Sequence, residues 1–82
     1  MSPRRGDSAY DVLYPLLREV RKERRLSQAQ VAKKLRRPQS FVSKYETGER
    51  RLDLVELRDV CEAIGLKLPT FVRRFESRLA RG

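Results

Sequence analysis

Apolar residues recur along this chain at intervals of three and four, the period of a helix, and no stretch shows the alternation of a strand. In the first segment Leu13, Leu16, Leu17 and Val20 form one apolar face ahead of the charged run Arg21 to Arg25, with Asp7 or Ser8 as its cap. Pro15 interrupts that face, so the helix either restarts there or continues with a kink. A second helix opens at Ser27, where Ser27-Gln28-Ala29-Gln30 has the form of a capping box, and it buries Val31, Ala32 and Leu35. Arg36-Arg37-Pro38 breaks the pattern, and proline suits the first turn of a third helix running from Pro38 to about Thr47. Gly48 closes it as a left-handed residue. Leu54, Leu57, Val60, Cys61 and Ile64 mark a fourth helix stopped by Gly65, and Phe71, Val72, Phe75 and Leu79 mark a fifth from Pro69. The fold class is therefore all-α, with five helices.

A chain of 82 residues holds one small domain, read here as an N-terminal arm over 1–7 and a single unit over 8–82. Charge changes the picture more than size does. Twenty Lys and Arg stand against 11 Asp and Glu, a net +9 without histidine, which favours a polyanionic partner, nucleic acid before an anionic membrane surface. The excess is local: residues 18–51 carry +8, residues 52–66 carry −3 and residues 67–82 carry +4. The middle should face the polyanion and the acidic stretch should look away from it. One cysteine and no histidine give neither a disulfide framework nor a zinc-ligand set, so no cofactor or metal is expected. The N-terminus lacks the apolar stretch of a signal peptide and no apolar run reaches the ~20 residues of a membrane span, so the expected setting is cytoplasmic, associated with the nucleoid. The missing histidine, metal set and glycine-rich phosphate loop also leave little basis for an enzyme, and Cys61 on an apolar face reads as a core filler.

Two short helices joined by a few residues, the second opening in small polar groups within a strongly basic surface, make a helix-turn-helix candidate. Ala32 supplies the small side chain such a crossing needs, and Val31, Val42 and Tyr45 are spaced to fill the core around it. With Leu26-Ser27-Gln28, Val31-Ala32 and the run Pro38-Gln39-Ser40-Phe41-Val42-Ser43-Lys44-Tyr45-Glu46-Thr47-Gly48-Glu49-Arg50, the chain resembles the Cro and CI type helix-turn-helix family, also called XRE-like or lambda-repressor-like. The resemblance spans about residues 16–66, with the motif itself near 27–47 and the last helix near 69–80. It implies a compact five-helix domain that binds a double-stranded DNA operator in a prokaryotic or phage transcriptional regulator, usually as a homodimer.

Carried over position by position, the resemblance implies that Gln39, Ser40 and Lys44 face base edges and that Gln28, Thr47, Arg50, Arg51 and Arg37 hold phosphates. The chemistry suits these roles: glutamine offers a donor and an acceptor to adenine, and lysine reaches guanine O6 and N7. Phe41 either presses on a thymine methyl or packs beside the turn. Arg21 and Glu46 match an ion pair tying the first helix to the third, while Phe71, Phe75 and Leu79 either form a dimer interface or cover their own core. Two positions depart from the family pattern. Arg36 stands where glycine is common, so either it takes positive φ or the turn differs slightly, and Pro38 replaces the usual capping Ser or Thr. The competing reading is an antitoxin or anti-regulator, a protein-interaction module whose Phe71 to Leu79 surface takes a protein partner and whose DNA binding is secondary.

Overall fold

The computed structural model describes residues 8–81, and among them every regular element is a helix: α1 (Tyr10–Glu23), α2 (Gln28–Leu35), α3 (Gln39–Glu46), α4 (Leu54–Ala63) and α5 (Leu68–Arg81). The arm over 1–7, with Asp7 as a possible cap, lies outside the described residues. Ala9 occupies the N-cap position of α1, and the Ser8 hydroxyl oxygen accepts from the Tyr10 amide at 3.2 Å. Pro15 stands inside α1, so the helix continues rather than restarts. Proline costs one early backbone bond, which Leu16, Leu17 and Val20, fully buried within the next five residues, offset by burial worth about 1.5–3 kcal/mol each.

The expected capping box is present in full. Ser27 Oγ accepts from the Gln30 amide at 3.0 Å, and the Gln30 side chain accepts from the Ser27 amide at 2.8 Å. Asp53 and Glu56 repeat the device at the start of α4. Helix ends follow a common pattern too. Arg25, Arg36 and Gly65 each sit at positive φ with their own amide on the carbonyl three back and the next amide on the carbonyl five back from it. Arg36, at φ 57°, therefore closes α2 in the conformation that a glycine would take without strain. Arg25 does the same at the end of α1, which the sequence did not signal. Gly48 and Gly65 take φ 81° and 79°.

Leu16, Leu17, Val20, Val31, Val42, Tyr45, Val60, Cys61, Ile64 and Phe71 make one core. Helix α2 packs on α3 and α4, α1 on α3 and α5, and α4 on α5. Ala32, buried at the α2 and α3 crossing, lets the two helices approach closely. Tyr14 pins the loop after α3, its hydroxyl accepting from the Leu52 amide at 2.9 Å. Burial pushes the Cys61 thiol up to about 12, which suits a packed thiol and not a nucleophile.

One apolar assignment changes and one open choice narrows. Leu54 shares the angular position of Leu57 and Ile64 but lies in the first turn of α4, where nothing packs over it, and it is 69% exposed. On α5, Phe71 is buried in this chain's own core and Phe75 packs against it, so of the two roles open to that stripe these rings take the intrachain one. Leu79 stays half-buried near the end of the helix.

Candidate nucleic-acid interface

At ~100° per residue, Gln39, Ser43, Thr47, Ser40 and Lys44 occupy about 140° of the surface of α3, and Phe41, Tyr45, Val42 and Glu46 occupy the opposite arc. The buried and exposed classes divide the same way: the second set is buried, while the first is exposed except for a half-buried Ser43. The outward stripe of α3 is thus short, polar and basic, with the Lys44 side chain in no hydrogen bond or ion pair among the described residues. Ser43 was absent from the sequence-derived set, although the helical period from Gln39 places it on the same stripe.

Beneath the stripe lies a polar network. Arg21 on α1 donates from Nε to Glu46 Oε2 at 2.6 Å and from Nη2 to Glu46 Oε1 at 2.9 Å, and its Nη1 reaches the Leu26 carbonyl at 2.8 Å. One guanidinium fork thereby ties α1, the entry to α2 and α3, and its hydrogen bonds to Glu46 raise the Arg21 pKa above its ordinary value. Glu46 Oε1 also accepts from Gln28 Nε2 at 3.0 Å, and Gln28 Oε1 in turn accepts from Gln39 Nε2 at 3.4 Å. Because a carboxylate only accepts, Glu46 orients the Gln28 amide, and that amide orients the one on Gln39. Gln39 is left with Oε1 and its second N–H on the outward side. These are the acceptor and donor that complement the N6 and N7 edge of adenine.

The phosphate-facing set is divided by the structure. The Gln28 side chain is engaged within the network, but the amides of Gln28 and Ala29 lie in the first turn of α2, where a helix has no partner for them. Thr47 donates its hydroxyl hydrogen to the Lys44 carbonyl at 3.1 Å. Arg50 pairs through both Nη atoms with Glu56 at 2.9 and 3.1 Å, and Arg37 lies 3.6 Å from the same carboxylate. Arg50 holds the Glu56 carboxyl below its usual value. Acidic Glu56 therefore does not look away from the basic segment as the charge pattern suggested; it caps α4 and gathers two of its cations. Phe41 is 8% exposed, edge-on to Tyr45, with the guanidinium carbons of Arg37 and Arg50 at 4.6 and 4.7 Å from its ring centre. Of the two roles left open for Phe41, the ring takes packing beside the turn, because it is buried against Tyr45 with two guanidinium groups over it. Arg51 lies 4.0 Å over the Tyr10 ring, and that ring stacks on Tyr14.

These features sit on a fold with clear relatives. Residues 16–74 match the family model described as a helix-turn-helix domain. An XRE-family like protein from Pseudomonas syringae pv. tomato str. DC3000 superimposes with a TM-score of 0.80 at 41% sequence identity, over 85% of this chain and 85% of that one. The chain belongs to the XRE-type helix-turn-helix family. No curated protein matches. Membership makes this a DNA-binding protein of the regulator class, with α2 and α3 as its helix-turn-helix. Among the described residues no helix is long and apolar enough to cross a membrane.

Proposed function

We propose that this XRE-type protein is a cytoplasmic transcriptional repressor, without enzymatic activity of its own, that reads a specific operator through the outward stripe of α3 and binds it as a homodimer. The observation that carries the reading is the oriented amide of Gln39, aligned through Gln28 on the buried Glu46 carboxylate at the start of a polar, basic helix face. Gln39, Ser40 and Lys44 read base edges, and Ser43 joins them. The phosphates are held by Arg51, by Thr47 after its hydroxyl turns away from Lys44, and by the first amides of α2 beside Gln28. Arg37 and Arg50 contribute by field while Glu56 holds them. With Phe71 buried in the core and Phe75 half-buried against it, the surface open to a second copy is Leu54 and Val55, adjacent and 69% and 67% exposed, with Leu79 as the remaining candidate on α5.

Selection of bound sequences from a random duplex pool, with the complex sized by light scattering, tests this. The expected product is a pseudo-palindrome with half-sites about 34 Å apart bound by two chains. Its affinity should fall by about 10³ to 10⁵ between roughly 50 and 200 mM salt. An unenriched pool would overturn operator reading, a one-to-one complex would overturn the homodimer, and a flat salt response would overturn phosphate-dominated binding.

A further inference from the structure

The charge on α5 is not explained by operator reading. Arg73, Arg74, Arg78 and Arg81, with Thr70 and Ser77, line a surface groove of about 320 Å³. They occupy one flank of α5, on which Arg74 and Arg78 border Phe71 and Arg73 lies farthest from the buried rings, and the helix's one acid, Glu76, lies beyond Arg73. Arg74 pairs with Glu23 and Arg78 with Glu19, each at 2.9 Å, which fixes the groove's inner wall against α1. Arg73 and Arg81 lie outside those pairs and are exposed, and among the described residues Arg73 reaches only the Thr70 hydroxyl, at 3.3 Å.

The groove stands across α1 from α3. At ~100° per residue the mean direction of Glu19 and Glu23 is opposite to that of Arg21, and Arg21 is the residue that grips Glu46 of α3. One side of α1 thus holds the reading helix and the other holds the arginine face. Residues 73–81 cover about 12 Å of helix axis, the length over which one DNA strand carries roughly three to four phosphates. Guanidinium and hydroxyl groups at that spacing suit a phosphodiester backbone. A lipid surface suits the face less well, because an interfacial helix needs its apolar side for the acyl boundary and α5 has buried that side in the core.

We propose that the outer face of α5 is a second phosphate-binding surface that takes a separate segment of duplex DNA, so that one domain bridges two duplexes. The inference rests on the proposed DNA reading for the first duplex only. The test is bead capture: a selected duplex is immobilised, protein is added, and retention of a labelled duplex of scrambled sequence is measured, alongside the affinity for a single duplex. Arg73→Gln with Arg81→Gln removes the two cations of the groove that pair with no carboxylate among the described residues and leaves the pairs to α1 intact. Capture of the second duplex should fall roughly fivefold or more, and the magnitude of its salt slope should drop by about 2, with single-duplex affinity and oligomeric state unchanged. Undiminished capture by the variant, or an equal loss in single-duplex affinity, would overturn the proposal. So would a wild-type protein that binds one duplex and captures no second, whereas failure to bind any duplex would sink the DNA reading itself. Vesicles rich in anionic phospholipid form the last arm. If their binding is lost in the variant while duplex capture persists, the face belongs to a membrane and the bridging proposal fails.

Discussion

The Arg21 to Glu46 pair and the two pairs between α1 and α5 use the same chemistry in opposite surroundings. Arg21 and Glu46 expose 9% and 2% of their side chains, whereas Arg78 and Glu19 expose 38% and 45%. In the first case water cannot solvate a group left alone, so either partner without the other is an uncompensated buried charge. In the second, water and salt substitute for the partner, and the net contribution is small. The buried pair also continues into Gln28 and Gln39, while the exposed pairs end at the arginine face of α5. Placing a charge pair under the reading helix makes stability and reading share one network.

The largest effect should come from breaking that network at its centre. Arg21→Ala or Glu46→Ala is expected to cost about 3–5 kcal/mol. The double variant should lose much less than the sum, because neither charge is then stranded; strictly additive losses in urea or thermal unfolding would mean the two are uncoupled. Further along the network, Gln39→Ala should weaken operator binding by about 1–3 kcal/mol while leaving scrambled duplexes nearly unaffected. Equal weakening on both duplexes would remove Gln39 from the base readers.

A smaller effect separates the turn of the motif from the end of α4. Arg36 and Gly65 hold the same left-handed conformation, and only the arginine carries a Cβ there. Arg36→Gly should therefore stabilise the fold by roughly 0.5–1 kcal/mol, the relief of strain exceeding the added freedom of the unfolded chain. A lower melting temperature would show that the Arg36 side chain contributes contacts that outweigh its strain.

The smallest change is expected at the exposed pairs, where Glu19→Gln should cost about 0.2–1 kcal/mol at low salt and nothing measurable at high salt. Their pH response has a definite sign. Arg74 holds the Glu23 carboxyl below its ordinary 4.5, and Arg50 does the same to Glu56. A depressed carboxylate pKa gives stability that is present above the unfolded value and lost as pH falls through the folded one. Urea midpoints should then hold steady down to about pH 4.5 and fall below it, and the fall should be shallower in Glu23→Gln with Glu56→Gln. An unchanged acid limb would show that neither pair is linked to folding.

Most of the fold was legible because its signals are local. The period of the apolar residues set five helices, Ser27 with Gln30 set the start of α2, and Gly48 and Gly65 set two helix ends. Positive φ at Arg36 was one of the two outcomes that the family resemblance left open for the turn. Phe41 and Arg50 were less legible, since whether a ring or a guanidinium faces DNA depends on neighbours that the chain brings back from another element. Here Glu56, six residues beyond Arg50 and fifteen beyond Phe41, holds the arginine that covers the ring.

What the sequence determined by itself is therefore whatever a residue and its near neighbours decide: helical period, caps, turn closure, the basic excess over 18–51 and the family to which the motif belongs. Only the tertiary structure decided which charges are engaged and which stay open. Among the described residues Arg50, Arg74 and Arg78 are bound to carboxylates and Lys44 is not, yet all four carry the same charge in the sequence. The physical reason is range. Capping and periodicity act within one or two turns of the backbone, whereas the pairs of α1 with α3 and α5 join residues 25, 51 and 59 positions apart, and they form only after the core has brought those helices together.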